Sequence, residues 1–275
     1  MNRRRVLEAA LAAPLLAVAA PRKATAFALI GDRPHNSDYI RTGLRKTIVK
    51  GMGVSIDFRD EVELLTAETL RGYKLLIILR DGFLWPDGYL DENSNAGWAG
   101  SGKPELISHP PVPKVPVQGF AWMTPEQGRA VQQFVRSGGG ALLLHNVTHI
   151  AQHNAEFRDV LGASYEGHPP IRTFKVKVLN EEHPITRGIR DFVVTDEQHF
   201  MTYEKDRKHL LLESVNEEGL TWRHFGTAAP AGWAFDYGKG RVCYFSPGHL
   251  LTVLWNPEYV KLQQNAVRWL LRLDG

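Results

Sequence analysis

The chain has 275 residues, 43% of them hydrophobic and 23% charged, with a formal net charge of +3. This composition suits a globular chain with a sizeable core and excludes a disordered or low-complexity one. Much of the positive charge sits in Arg3, Arg4, Arg5, Arg22 and Lys23, so no basic stripe elsewhere points to nucleic acid.

Residues 1–26 read MNRRRVLEAALAAPLLAVAAPRKATA. An arginine triplet, an apolar stretch over 9–20 and small residues at Ala24-Thr25-Ala26 together predict an export signal. The adjacent arginines predict the twin-arginine route, a mature chain starting near Phe27, and a periplasmic or secreted location. The apolar stretch is too short to stay in a bilayer, and no later segment is apolar enough for stable membrane insertion. Residues 27–275 are expected to form one domain.

Residues 27–31 (FALIG) are a short apolar strand, and a helix capped by Asp38 is expected to run to about residue 50. Strands follow at 54–58 and 74–79, and the alternation of strand and helix predicts a parallel sheet with helices on both faces. Residues 81–121 interrupt it with six prolines, six glycines and two tryptophans. A long irregular stretch of that kind inside a compact domain is a functional or a disordered loop. Thr124-Pro125-Glu126-Gln127 has a capping threonine, a proline at the first helical position and a glutamine that closes a capping box. That helix ends at the glycines 138–140, and 141–144 is a fully apolar central strand. After a short helix over 155–161, strands are expected at 174–179, 192–195, 210–213, 231–235 and 241–245. Tyr237-Gly238-Lys239-Gly240 reads as the last hairpin turn. Asn256-Pro257 starts a closing amphipathic helix. Cys243, the one cysteine, excludes an internal disulfide and reads as a small core residue.

Ligands of open α/β sheets bind beyond the carboxyl ends of the strands. Polar residues gather there in this sequence. Asp32, Arg33 and His35 follow the first strand, Arg80 and Asp81 the third, and His145, Asn146 and His149 the central one. Pro247, Gly248 and His249 follow the strand that holds Cys243. Glu166 and His168 are placed in a turn, and 196-DEQH-199 is either a solvated loop or a carboxylate–histidine site. His153 and His209 read as surface residues, and His109 falls in the long loop. No HExxH, Walker or GxGxxG signature is present, so no nucleotide cofactor is expected.

Four stretches, 138-GGGALLLHN-146, 162-GASYEGHPP-170, 183-HPITRGIRDFVVTDE-197 and 230-PAGWAFDYGKGRVCYFSPGH-249, resemble the ThuA-like, or trehalose-utilisation, family. The resemblance implies a flavodoxin-like sheet similar to class I glutamine amidotransferases, with additional strands in the C-terminal half. Those enzymes carry a cysteine nucleophile after a central strand. This chain has His145 near that place, which argues against amidotransferase chemistry. The resemblance implies sugar metabolism, with keto-glycosides among the candidate substrates. It carries the family's histidines onto His145, His168, His183 and His249, and its acidic turn onto Asp196 and Glu197. His35 matches more loosely, and His183, in a turn before a proline, reads as structural.

The expectation is therefore an exported carbohydrate-active enzyme. His145, Glu197, His249 and His35 are the catalytic candidates. Asp32, Asp81, Asn146, His168 and Trp122 are the substrate-binding ones. His145, His249 and Glu197 are candidate ligands of a divalent metal, zinc first. Without a metal, a histidine and Glu197 would serve as base and acid. Trp85, Trp98 and Trp122 are candidates to stack on a sugar ring. A non-catalytic sugar-binding or assembly protein on the same fold is the alternative, and a serine hydrolase using Ser246 is a third reading that lacks the usual elbow motif. The expected partner is a small carbohydrate, and a homo-oligomer is compatible with the sequence.

Overall fold

The computed structural model describes residues 23–85 and 119–273. Residues 1–22 of the expected export signal, and residues 86–118 with Trp98 and His109, lie outside the described residues. In chain order, the first half contains β1 (Ala26–Ile30), α1 (Ser37–Leu44), β2 (Ile56–Arg59), α2 (Ala67–Leu70), β3 (Leu75–Leu79), β4 (Phe83–Leu84), β5 (Phe120–Ala121), α3 (Pro125–Arg136) and β6 (Gly140–Leu144). The second half contains α4 (Val147–His153), α5 (Ala155–Leu161), β7 (Ala163–Gly167), β8 (Arg172–Val178), β9 (Phe192–Asp196), β10 (Phe200–Tyr203), β11 (Leu210–Val215), β12 (Ala228–Tyr237), β13 (Gly240–Phe245), α6 (Leu251–Leu254) and α7 (Pro257–Leu270).

The main sheet has nine strands in the order β2-β1-β3-β6-β13-β12-β11-β8-β9. The first five run parallel. Their order is the flavodoxin-like one, in which the chain reverses direction across the sheet between β1 and β3. The extra C-terminal strands continue the same sheet in antiparallel pairing. Parallel strands need both faces covered, and their side chains sort accordingly. Ala28, Ile30, Ile77, Leu79, Leu142 and Leu144 pack with Ile40 and Leu44 of α1 and Leu262 and Ala266 of α7. Phe27, Leu29, Leu76, Ile78, Ala141 and Leu143 pack with Val131 and Val135 of α3, Ile150 of α4 and Phe157 of α5.

The turn chemistry is local and follows the sequence. Thr124 accepts from Gln127 N and the Gln127 side chain accepts from Thr124 N, a closed capping box at α3. Gly138, with φ +120°, ends that helix. Gly238, with φ +62°, makes the two-residue turn between β12 and β13.

One cap and two segments differ from the sequence expectation: α1 is capped by Asn36, whose side chain accepts from Asp38 N at 2.8 Å, and not by Asp38. The stretch 162–170 is not simply a turn, because Ala163–Gly167 forms β7 and pairs with β10 in a separate antiparallel ribbon. Residues 147–153 add a helix directly after the central strand. Both are short, and their stability comes from non-local packing rather than from propensity.

Candidate functional site

Four parallel strands end together, with Ile30 beside Leu79 and Leu144 beside Phe245 in the register. The residues just past those ends are therefore brought to one edge. His145 takes the tight turn from β6 into α4 with φ +53°, a left-handed conformation that costs a non-glycine residue about 1–3 kcal/mol. The surroundings hold it there. Its N–H donates to Phe245 O at 2.7 Å, and its carbonyl accepts from Tyr244 Oη at 2.7 Å. Gly248 approaches so closely that a Cβ on it would lie 3.2 Å from His145 Cβ. Three strands separate β9 from β13 in the sheet order, yet Asp196 at the end of β9 reaches back. Its Oδ2 accepts from Gly248 N at 2.7 Å and His249 N at 3.3 Å.

The side chains converge on one oxygen. Glu197 Oε2 lies 3.3 Å from His145 Nε2, 3.2 Å from His199 Nε2, 3.4 Å from His249 Nδ1 and 3.6 Å from His168 Nε2. His35 Nε2 faces His249 Nδ1 at 2.9 Å. Second partners fix which nitrogen points inward. His35 Nδ1 donates to Asp32 Oδ1 at 2.8 Å, and Asp32 Oδ2 accepts from Asp81 N at 2.7 Å and from Asn146 Nδ2 at 3.3 Å. His145 Nδ1 donates to Ser246 O at 2.8 Å, which leaves Nε2 as a lone pair aimed at the carboxylate. That Nε2 is buried and makes no hydrogen bond. Two acceptors at that distance repel unless a cation lies between them, either a proton on Nε2 or a metal ion.

The donors are grouped closely enough to be candidate ion ligands. Donors about 2.0–2.1 Å from a tetrahedral ion lie roughly 3.3–3.4 Å from each other. The ligand atoms of His35, His145, Glu197 and His249 all fall within 4.8 Å of one another, and so do those of His168, Glu197 and His199. A carboxylate behind a histidine ligand, as Asp32 stands behind His35, fixes the tautomer and ring orientation that a metal site needs.

The electrostatics match. Burial alone would raise the Glu197 carboxyl, but the facing nitrogens of His145 and His199 and the charges on His145 and His249 outweigh it and hold the group well below the usual carboxylate range. Burial pushes His199 well below the usual imidazole value, helped by His145. Burial and the neighbouring His35 bring His249 down to about 4. Burial also opposes charge on His145, but Glu197 and Asp196 overcome it and leave that group raised. Burial raises Asp196 despite its bonds to the backbone. Two of the converging imidazoles thus favour the neutral form that a metal ligand requires.

Beside the cluster is a cavity of about 210 Å³ lined by His35, Asp81, Asn146, His149, Tyr165, His168, Glu197 and His199, with Pro34. His149 Nδ1 makes a short contact with Asp81 Oδ1.

The structure thus brings His35, His145, Glu197 and His249 together, with Asp32 and Asn146 behind them and Asp81 and His168 on the cavity. Trp122 is placed otherwise. It is buried, its Nε1 donates to Asp81 O at 2.7 Å, and it is not among the cavity-lining residues. Trp85 lies under the Arg33 guanidinium, 5.0 Å from ring centre to charge. His183 packs on Trp269 and accepts from Ile185 N, apart from the cluster. Ser246 is buried and contributes its carbonyl. Cys243 is fully buried, which raises its thiol far above the ordinary value.

The solvated-loop reading of 196-DEQH-199 does not hold. Asp196, Gln198 and His199 are all buried, and Gln198 bonds to Ser214 and to Thr227 O. The sequence gathers His149 and His199 among the candidates without assigning them a role, and does not single out Tyr165. The period-2 alternation of buried Phe192, Val194, Asp196 and Gln198 puts residue 199 on the other phase, so no strand pattern in the sequence marks His199 as buried.

The class defined here is a flavodoxin-like α/β fold with a histidine–carboxylate cluster at the carboxyl ends of its parallel strands. The family model for ThuA, trehalose utilisation, matches residues 115–270, and the chain belongs to that family. Among solved structures, a ThuA-like protein from Bacteroides uniformis is similar at 18% identity and a TM-score of 0.59, covering 89% of both chains. A ThuA-like protein from Parabacteroides merdae is similar at 14% identity and a TM-score of 0.63, covering 90% of both. The β-galactosidase of Bacillus circulans sp. alkalophilus is similar over 90% of this chain but only 31% of its own, at 11% identity and a TM-score of 0.52. These likenesses show the fold. No curated protein matches the sequence.

Proposed function

We propose that the chain is an exported carbohydrate-active enzyme that holds a divalent ion, zinc first, between His35, His145, His249 and Glu197, and acts on a sugar or keto-glycoside. The observation that carries the reading is the single oxygen, Glu197 Oε2, approached by the nitrogens of His145 and His249, with His35 Nε2 facing His249 and the opposite ring atoms of His35 and His145 already committed. Such an ion supplies Lewis acidity toward a carbonyl or lowers the pKa of bound water. The family's link to trehalose utilisation supports a carbohydrate partner. A cavity rimmed by Asp81, Asn146, His149 and Tyr165 offers hydrogen-bonding groups of the kind sugar hydroxyls need.

The chain's own groups have separate tasks. Asp32 aims His35, the Ser246 carbonyl aims His145, and Asp196 fixes the backbone that carries His249. The Asp81–His149 pair is placed to hold a proton beside the cavity and return it.

The test is elemental analysis of the full chain and of its His145→Ala variant, followed by turnover assays on glycosides and keto-glycosides. A near-stoichiometric divalent ion that the variant loses together with turnover supports the proposal. An ion-free native chain sinks the metal and leaves acid–base catalysis. Sugar binding without turnover in the native chain replaces the enzyme with a sugar-binding protein.

A further inference from the structure

The cavity touches only part of the histidine cluster. All three members of the group His168, Glu197 and His199 line it, whereas of the other group only His35 and the shared Glu197 do and His145 and His249 do not. The two candidate ligand groups share one residue, Glu197. Within the second group, Glu197 Oε2 is 3.2 Å from His199 Nε2 and 3.6 Å from His168 Nε2. The His168 and His199 rings are stacked, 5.1 Å between centres and 12° from parallel, so both present an Nε2 edge to the same carboxylate oxygen. His168 Nδ1 donates to Pro169 O at 2.8 Å, which leaves its Nε2 free to ligate, the same tautomer that Ser246 O imposes on His145.

We propose that Glu197 is shared between two divalent-ion sites, and that the second, built from His168 Nε2, His199 Nε2 and Glu197 Oε2, is the one that meets the substrate. This rests on the ion site proposed above. The division of labour follows from donor count. His35, His145, His249 and Glu197 supply four protein donors, enough to close a tetrahedron, as structural zinc sites do. The second group supplies three, the pattern of a catalytic site that keeps a position open for water or a substrate oxygen. That open position faces the cavity, because His168 is the most exposed ligand of the set, at 30% of its side chain. The sharing is sterically reasonable. Two ions each about 2.0–2.2 Å from one oxygen sit no more than roughly 4.4 Å apart, which includes the spacing of about 3.5–4 Å found in two-metal sites. A ligand with two neighbouring oxygens, such as a carbonyl beside a hydroxyl on a sugar ring, is the class such a centre recognises. Asp81 and His149, also on the cavity, stand within the same space to take up its remaining hydrogen bonds.

Native mass spectrometry of the full chain, stripped of metal and re-equilibrated with zinc, counts the ions directly. Two ions are expected in the native chain, one in His168→Ala and one in His35→Ala. His168 is on the cavity rim and partly exposed, so its replacement leaves the fold standing. A second variant, His168→Asn, is expected to give the same count with an unchanged thermal melt. One ion in the native chain that His35→Ala removes and His168→Ala keeps overturns the second site alone. Two ions retained in both His168 variants overturn it as well. No ion in the native chain overturns both sites together.

Discussion

Replacing Asp32 with asparagine removes one charge and turns one acceptor into a donor at a place already crowded with donors. Asp32 is 1% exposed at its side chain. Oδ1 accepts from His35 Nδ1, while Oδ2 accepts from Asp81 N at 2.7 Å and Asn146 Nδ2 at 3.3 Å. If the asparagine keeps its oxygen toward His35, its NH2 opposes the Asp81 N–H. An unsatisfied buried donor costs about 1–3 kcal/mol. For a chain of this size, each kcal/mol lowers the melt by about 2–4 °C, so a fall of about 2–12 °C is expected. If instead the amide turns its NH2 to His35, Nδ1 must accept, the proton moves to Nε2, and that nitrogen can no longer ligate. Either way His35 loses the charged acceptor behind it, through a weaker neutral bond in the first case and the wrong tautomer in the second, and zinc affinity should drop by about 10–100-fold, the usual cost of disturbing such an outer partner. Calorimetric zinc titration of metal-stripped native and Asp32→Asn chains reads the affinity, and thermal melts without zinc read the fold. Affinity within about two-fold of native despite a lowered melt would refute the orienting role. An unchanged melt would refute the hydrogen-bond accounting.

Other substitutions probe the frame around the site. Gly248→Ala places a methyl 3.2 Å from His145 Cβ, so zinc binding should weaken while circular dichroism stays native. Trp233→Ala removes a fully buried ring that stacks on Tyr244 at 4.2 Å, and should cost about 3–5 kcal/mol in denaturant unfolding. Thr124→Ala opens the capping box of α3 and should cost about 0.5–2 kcal/mol by the same measurement. Asp159 is held below its ordinary value because bonds from Tyr237 and Lys205, with the Lys205 charge, outweigh burial. Its contribution to stability is therefore complete above about pH 4 and fades as pH falls through the lowered folded value. Asp159→Asn should flatten that acid limb of the stability curve, and an unchanged limb would show that the group is screened by solvent.

Much of the frame was legible because its signals are local. Thr124, Gly138 and Gly238 fix a cap and two turns through their own backbone chemistry. The apolar runs at Leu75–Leu79 and Gly140–Leu144 announce strands covered on both faces. The rule that polar residues past parallel strands share an edge collected Asp32, His35, Asp81, His145 and His249. The placement of Trp122 was not legible, because an indole on the chain near a cleft looks the same whether it faces the cleft or, as here, turns inward to hold the Asp81 carbonyl.

The sequence by itself determined the strand alternation, the capped helices and the set of histidines released at the strand ends, since each depends on residues a few positions apart. It also carried the family, through four short stretches in order. Only the tertiary structure decided that β9 curls back so that Asp196 meets Gly248, and that β7 and β10 pair to bring His168 over His199. Those contacts join residues dozens of positions apart, through packing that no local pattern encodes. They turn Glu197 from one carboxylate in a loop into the oxygen on which four imidazoles converge.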